Sequence, residues 1–173
     1  MFMLHQHALK AGAIALAVLG LAITACNKDN DNPVQPPAAR SKTFKVYGTG
    51  TDAARETGAV TVTENTDSTI NVVFVLGKNK KDTVHQVYFI GGNKTAPTTD
   101  TLQTKEVKGT GGAVSVDLFR NVKKITLRQA AGATKEIGFK YDDAVAYAAH
   151  LKVRHSLFSA DTIAIGNFGK AAN

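Results

Sequence analysis

The chain has 173 residues, 43% of them hydrophobic, with 15 Gly, 4 Pro, no Trp and one Cys, and a formal net charge of +7. A single cysteine excludes an intramolecular disulfide framework, so any folded part must hold together by its core alone. The length suits one domain with one core once non-domain segments are set aside.

The first such segment is the N-terminus. Residues 1–10 carry one Lys, Lys10, and an apolar run follows from Ala11 to Ile23, broken only by Gly12 and Gly20. At 13 residues the run is short for a spanning helix, which needs ~20 to cross the hydrocarbon core. The layout predicts a signal peptide over residues 1–25. It ends in Ile23-Thr24-Ala25-Cys26, which resembles the bacterial lipobox: an aliphatic residue, two small ones, then a cysteine that receives a diacylglycerol before cleavage. Small side chains let the extended backbone enter a peptidase cleft, and the Cys26 thiol is the nucleophile that takes the lipid. The resemblance implies a membrane-anchored lipoprotein of the cell envelope, outer membrane included, with Cys26 as its first mature residue. Two or three acyl chains make such an anchor lasting where one does not.

Residues 26–42 then read as the lipidated Cys and a flexible tether. From Asn27 to Ala39 the sequence is polar, with prolines at 33, 36 and 37, and has too little to bury to offset its ordering entropy. The prolines favour an extended spacer. Lys28-Asp29 with Asp31 resembles the charged export signal of surface lipoproteins in some Gram-negative bacteria; a solvated linker facing the periplasm is the alternative.

Residues 43–173 are the predicted domain, rich in Val, Thr, Ile and Gly in short alternating runs, which favours β structure. Thr43 to Tyr47 and Gly58 to Glu64 alternate as half-buried strands. Thr69 to Leu76 sets Ile70, Val72, Phe74 and Leu76 on one face and Val73 and Val75 on the other, which predicts a central strand. Gly77 to Asp82 reads as a turn and Thr83 to Ile90 as the return strand of a hairpin. Residues 91–112 read as the longest irregular stretch, with a short strand near Leu102 to Val107. Val114, Val116 and Leu118 mark a further strand, as do Ile125 and Leu127. Tyr141 to Tyr147 predicts a helical turn capped by Asp142 or Asp143, followed by a strand from about Ala148 to His155. Thr162 to Phe168 closes the domain, with Ile163 and Ile165 expected inward. The fold class predicted is all-β, an antiparallel Greek-key sandwich of about 8–10 short strands.

Three separated pieces carry a family resemblance. Phe44-x-Val46-x-Gly48 followed by Gly58-Ala59-Val60-Thr61-Val62, then Val84 to Gly92 with Gly111 to Leu118, then Leu151 to Ser156 with Ile163 to Gly169, together resemble the chordin-type CHRD domain over about residues 43–169. The resemblance implies a secreted sandwich related to that of copper-zinc superoxide dismutase, without established enzyme activity. Tyr88, Phe89 and Ile90 stand where that family pairs histidines before a Gly, which counts against carrying over a metal role.

No catalytic constellation is evident, and no cofactor or metal ligand set is assigned. After Cys26 the histidines are His85, His150 and His155. His150 and His155 are five apart, so a regular strand faces them opposite ways. His85 with His155 and Asp82 or Asp161 is the one conceivable zinc set. His155-Ser156 are adjacent, there is no Gly-x-Ser-x-Gly elbow, and Gly77-Lys78-Asn79-Lys80-Lys81 lacks the Gly-Lys-Ser/Thr ending of a phosphate loop. The mature chain has 20 Lys and Arg (21 less Lys10) against 14 Asp and Glu. Lys78, Lys80, Lys81, Lys123, Lys124 and Arg128, with Lys152 and Arg154, are candidates for a basic patch that binds anionic lipid or acidic glycan; solvated edge charges are the plain alternative. Export and the lack of aromatic-basic interleaving argue against nucleic acid.

The expected function is a non-enzymatic, lipid-anchored envelope protein with a CHRD-like binding or structural module, anchored to the membrane and meeting an envelope protein or glycan. Two alternatives remain open. One is a glycan- or anionic-lipid-binding surface lipoprotein, for which Tyr47, Tyr88 or Tyr147 in a groove lined by Asn and Asp would speak. The other is a metal-dependent envelope enzyme, for which converging His85, His155 and a carboxylate would speak.

Overall fold

Alternation of Phe44 and Val46 with Lys45 and Tyr47 builds the first strand of the computed structural model, which describes residues 39–172. Ile23, Thr24, Ala25 and Cys26, with the signal peptide and most of the tether, lie outside the described residues. The first strand among the described residues is β1 (Ser41–Gly48). β2 (Glu56–Glu64) and β3 (Ile70–Leu76) follow as an antiparallel meander. β3 buries Ile70, Val72, Phe74 and Leu76 to 1% exposure or less, whereas Val75 is 40% exposed, so period-two alternation sets the faces as expected.

Its neighbours differ from expectation. β4 (Val84–Asn93) does not return alongside β3; it pairs with β5 (Ala96–Lys108) and with β9 (Ala149–Arg154), while β3 lies between β2 and β6 (Val114–Val122). The segment after Gly77 is thus a crossover, and β3 is second from an edge. The stretch expected to be mostly irregular holds a long hairpin, whose second arm, β5, has 13 residues and takes in the short strand expected near Leu102 to Val107. β7 (Lys124–Arg128) and β8 (Thr134–Gly138) form a further hairpin, the second arm of which sequence reading missed. α1 (Tyr141–Ala146) leads into β9, and β10 (Thr162–Phe168) pairs with β9 and β1.

The class is all-β and antiparallel, as expected. Ten strands form one continuous curled sheet in the order β6-β3-β2-β1-β10-β9-β4-β5-β7-β8. The connections β3 to β4 and β5 to β6 cross between its two halves, a Greek-key kind of linkage. The sheet curls until β6 faces β5, where Gln103 Nε2 donates to the Leu118 carbonyl at 3.2 Å. Closure of this kind shields edges that would otherwise invite pairing with other chains.

A run of rings fills the interior. Phe44 packs on Phe168 at 4.6 Å between centroids, Phe168 on Phe89 at 4.8 Å, Phe89 on Phe119 at 6.3 Å, and Phe119 on Phe139 at 5.4 Å. Tilted and edge-on pairs at these separations are the favoured aromatic geometry. Phe168 fixes the parity of β10, so Ala164, Gly166 and Phe168 point inward and Ile165 lies half-buried on the outer face, the reverse of expectation, while Ile163, at the irregularity between Thr162 and Ala164, packs partly buried against the core as expected. Size contributes: a Cβ at Gly166 would meet the Lys45 carbonyl oxygen at 2.5 Å, so no side chain fits at that position. Bulges place other core residues. Leu102 is the extra residue where Phe89 opposes Gln103 and Ile90 opposes Thr101, and it is buried out of alternation with Val107.

Candidate functional site

β4 and the end of β9 bring two of the three histidines together. His85 is fully buried, and its ring meets that of His155 edge-on at 5.8 Å. Both nitrogens of His85 are engaged: Nδ1 donates to the His155 carbonyl at 2.9 Å, and the Lys80 backbone N–H donates to Nε2 at 3.3 Å. Accepting at Nε2 requires a lone pair there, so the bonds select the Nδ1–H tautomer. A metal would have to displace the Lys80 N–H. The rings border a cavity of about 320 Å³ lined also by Asp52, Thr57, Lys80 and Ile163. Asp82 and Asp161, the carboxylates expected nearby, are exposed and do not line it. Among the described residues no group of three or more His, Cys, Asp or Glu converges, so the residues present do not fit a zinc or copper centre.

His150 stands apart. It sits opposite Ile90 on β4, with Nδ1 donating to the Gly92 carbonyl at 3.0 Å. Burial pushes its imidazole below the ordinary 6.5, Lys152 adds to the push, and the bond to Gly92 opposes it.

Arg40 holds the start of the domain. Its guanidinium donates to both Glu64 oxygens at 2.6 and 3.0 Å and to both Asp142 oxygens at 2.7 and 3.2 Å, and it lies over the Tyr141 ring at 4.4 Å. Of the two expected capping carboxylates, Asp143 does the work, its Oδ2 accepting from the Lys140 N–H at 3.1 Å, while Asp142 faces Arg40.

The basic residues singled out in sequence do not form one patch. Lys78, Lys80 and Lys81 lie in the β3–β4 connection, Lys123, Lys124 and Arg128 on or beside β7, and Lys152 and Arg154 on β9. Lys124 is paired with Glu136 at 2.8 Å, and Arg154 stacks over Tyr88 at 5.2 Å.

Sequence reasoning missed a different basic site. β1 and β10 pair only at Tyr47 with Ile165 and Gly48 with Ala164, and beyond these the ladder stops. A groove of about 360 Å³ opens there, lined by Lys42, Lys45, Tyr47, Lys94 and Asn167 among others, with no Asp or Glu in its wall among the described residues. Lys94 comes from the tip of the β4–β5 hairpin. Asn93 Oδ1 fixes that tip by accepting from the N–H groups of Thr95 at 2.9 Å and Ala96 at 2.7 Å. The Lys94 N–H donates to Asn167 Oδ1 at 2.9 Å, tying the hairpin to β10. Lys45 is paired with Glu56 at 3.0 Å, whereas Lys42 and Lys94 have no carboxylate within ion-pair distance among the described residues. Of the tyrosines considered for glycan binding, Tyr47 lines this groove, Tyr88 lies under Arg154, and Tyr147 is half-buried against Phe139 at 6.4 Å.

Comparisons with protein families, with curated proteins and with solved structures find no match. Any likeness to the chordin-type domain therefore rests on the residues quoted above.

Proposed function

We propose that the chain is a non-enzymatic, lipid-anchored protein of the cell envelope whose β domain serves as a CHRD-like binding or structural module. The observation that carries this reading is the place of the only cysteine, Cys26, directly after Ile23-Thr24-Ala25 at the end of the apolar run. The fold is compatible with it: among the described residues the first strand starts at Ser41, 15 positions after Cys26. Labelling a producing bacterium with radioactive palmitate tests it. The wild-type chain takes up label and fractionates with membranes, and Cys26→Ser does neither; label in the Ser variant, or none in the wild type, overturns the reading.

Within this reading, the lysine groove favours the anionic-ligand form of a binding module over a purely structural one. The metal-dependent enzyme gains only the facing rings of His85 and His155, and one of these is already bonded at both nitrogens.

A further inference from the structure

We propose that the groove between β1 and β10 is a binding site for a phosphate-bearing lipid headgroup, engaged by Lys42, Lys94 and Asn167. The inference deepens the anchored-module reading and rests on it for the membrane as source of the ligand.

The sheet splits where the β1–β10 ladder ends. Where two strands stop pairing, a gap is left that side chains must fill or a ligand can enter, and here the wall carries three lysines and, among the described residues, no Asp or Glu. Glu56 engages only Lys45, from which Lys42 and Lys94 stand clear in the ion-pair pattern. Asn167 uses its oxygen to hold Lys94, which turns its amide nitrogen into a spare donor. Compact ammonium charges suit a phosphate as point charges, whereas a planar carboxylate is matched best by the guanidinium fork of Arg, and the groove has none. Apolar surface completes the site: Lys42 Nζ stands 5.3 Å from the Phe44 ring centroid, and Tyr47 forms part of the wall, so a glycerol or ethanolamine portion finds carbon to rest on. The volume falls in the range of small-ligand sites.

Placement of the groove supplies the source. Lys42 lies two residues after Arg40, where the chain enters the domain. The 17 residues from Cys26 to Lys42 span at most roughly 55–60 Å fully extended. A domain on that leash stays within reach of the headgroups of its own membrane, and the tether raises their effective concentration.

The test uses the full chain in non-ionic detergent, followed by amide NMR during titration with glycerophosphate, inorganic phosphate or glycerol, and by co-flotation of the Cys26→Ser chain with vesicles of neutral or anionic phospholipid. Glycerophosphate is expected to shift the Lys94 backbone and Asn167 side-chain amides saturably, and glycerol to leave them unmoved. Lys42→Gln with Lys94→Gln should weaken binding at least tenfold, and the charge-matched pair Lys80→Gln with Lys81→Gln should leave it within about twofold. Flotation of Cys26→Ser should favour anionic vesicles and fall with the groove pair. Equal losses in both double variants mean diffuse charge and overturn the site. Shifts with inorganic phosphate alone, without preference for glycerophosphate or vesicles, make it a free-anion site and overturn the headgroup assignment. The soluble titration does not need a lipid on Cys26, so failure of the anchor and failure of the groove are told apart.

Discussion

His85 donates its Nδ1–H to the backbone carbonyl of His155 at 2.9 Å, so the ring nitrogen on the His155 side is already committed to main chain. Adding zinc or copper is therefore expected to leave the melting temperature of the full chain unchanged. His85→Gln should destabilise by about 1–3 kcal/mol, because a buried carbonyl and an N–H lose their partner. Denaturant unfolding with and without metal checks both; a metal-dependent upward shift in melting that His85→Gln abolishes would reverse the assignment.

The aromatic run makes a quantitative claim about where stability resides. Phe89, fully buried between Phe119 and Phe168, should cost ~3–5 kcal/mol when changed to Ala. Val75→Thr, at a position 40% exposed on the outer face, should stay within about 0.5 kcal/mol. Urea unfolding of both variants distinguishes the two faces, and equal costs would mean that β3 or β4 is turned over.

Gly169 occupies the left-handed region at φ +61°, and a Cβ there would run into the Tyr147 carbonyl oxygen. Gly169→Ala should lose at least ~1–2 kcal/mol from backbone strain alone. The control is Gly112→Ala, where a Cβ meets nothing within 4 Å. Thermal melting of the two side by side checks the turn after β10.

Acid should destabilise the domain, and the sign follows from three groups. Hydrogen bonding from Arg40 holds the Glu64 carboxyl below its ordinary 4.5, and hydrogen bonds from the Thr69 hydroxyl and N–H hold Asp67 below 3.8. Each contributes stability that is present above its ordinary value and lost as pH falls through the lower folded value. His150 acts in the same direction: burial depresses it below 6.5, so the unfolded chain takes up its proton first and stability declines as pH falls from there. Melting temperature should drop from neutral pH towards about pH 4. Arg40→Gln should flatten the fall below Glu64's ordinary value, and His150→Gln the part that starts near 6.5. A rise in stability on acidification would contradict the environments described.

The faces of β1, β2 and β3 were legible because alternation there is strict and uninterrupted, and α1 and β9 because Asp143 and the Leu151-x-Val153 pair give local signals. Partner choice was not. Nothing between Gly77 and Thr83 distinguishes a hairpin turn from a crossover, since the flank of β3 that β2 leaves open is taken by β6, a strand remote in sequence. Only the Leu102 to Val107 part of β5 was legible, because its start, Ala96 to Thr99, is exposed and its bulge at Leu102 breaks the alternation. β10 misled because Ala164 and Gly166 face inward for lack of room, which hydrophobicity does not encode. The groove was invisible for the same reason: Lys42, Lys94 and Asn167 are brought together only by the place where the β1–β10 ladder ends.

The most direct measurement on the central claim is the intact mass of the protein extracted from membranes of a producing bacterium. The account predicts the 148 residues from Cys26 to Asn173 plus a diacylglyceryl group, with or without a further acyl chain. A mass matching the whole chain, or a chain cut elsewhere and carrying no lipid, would contradict it.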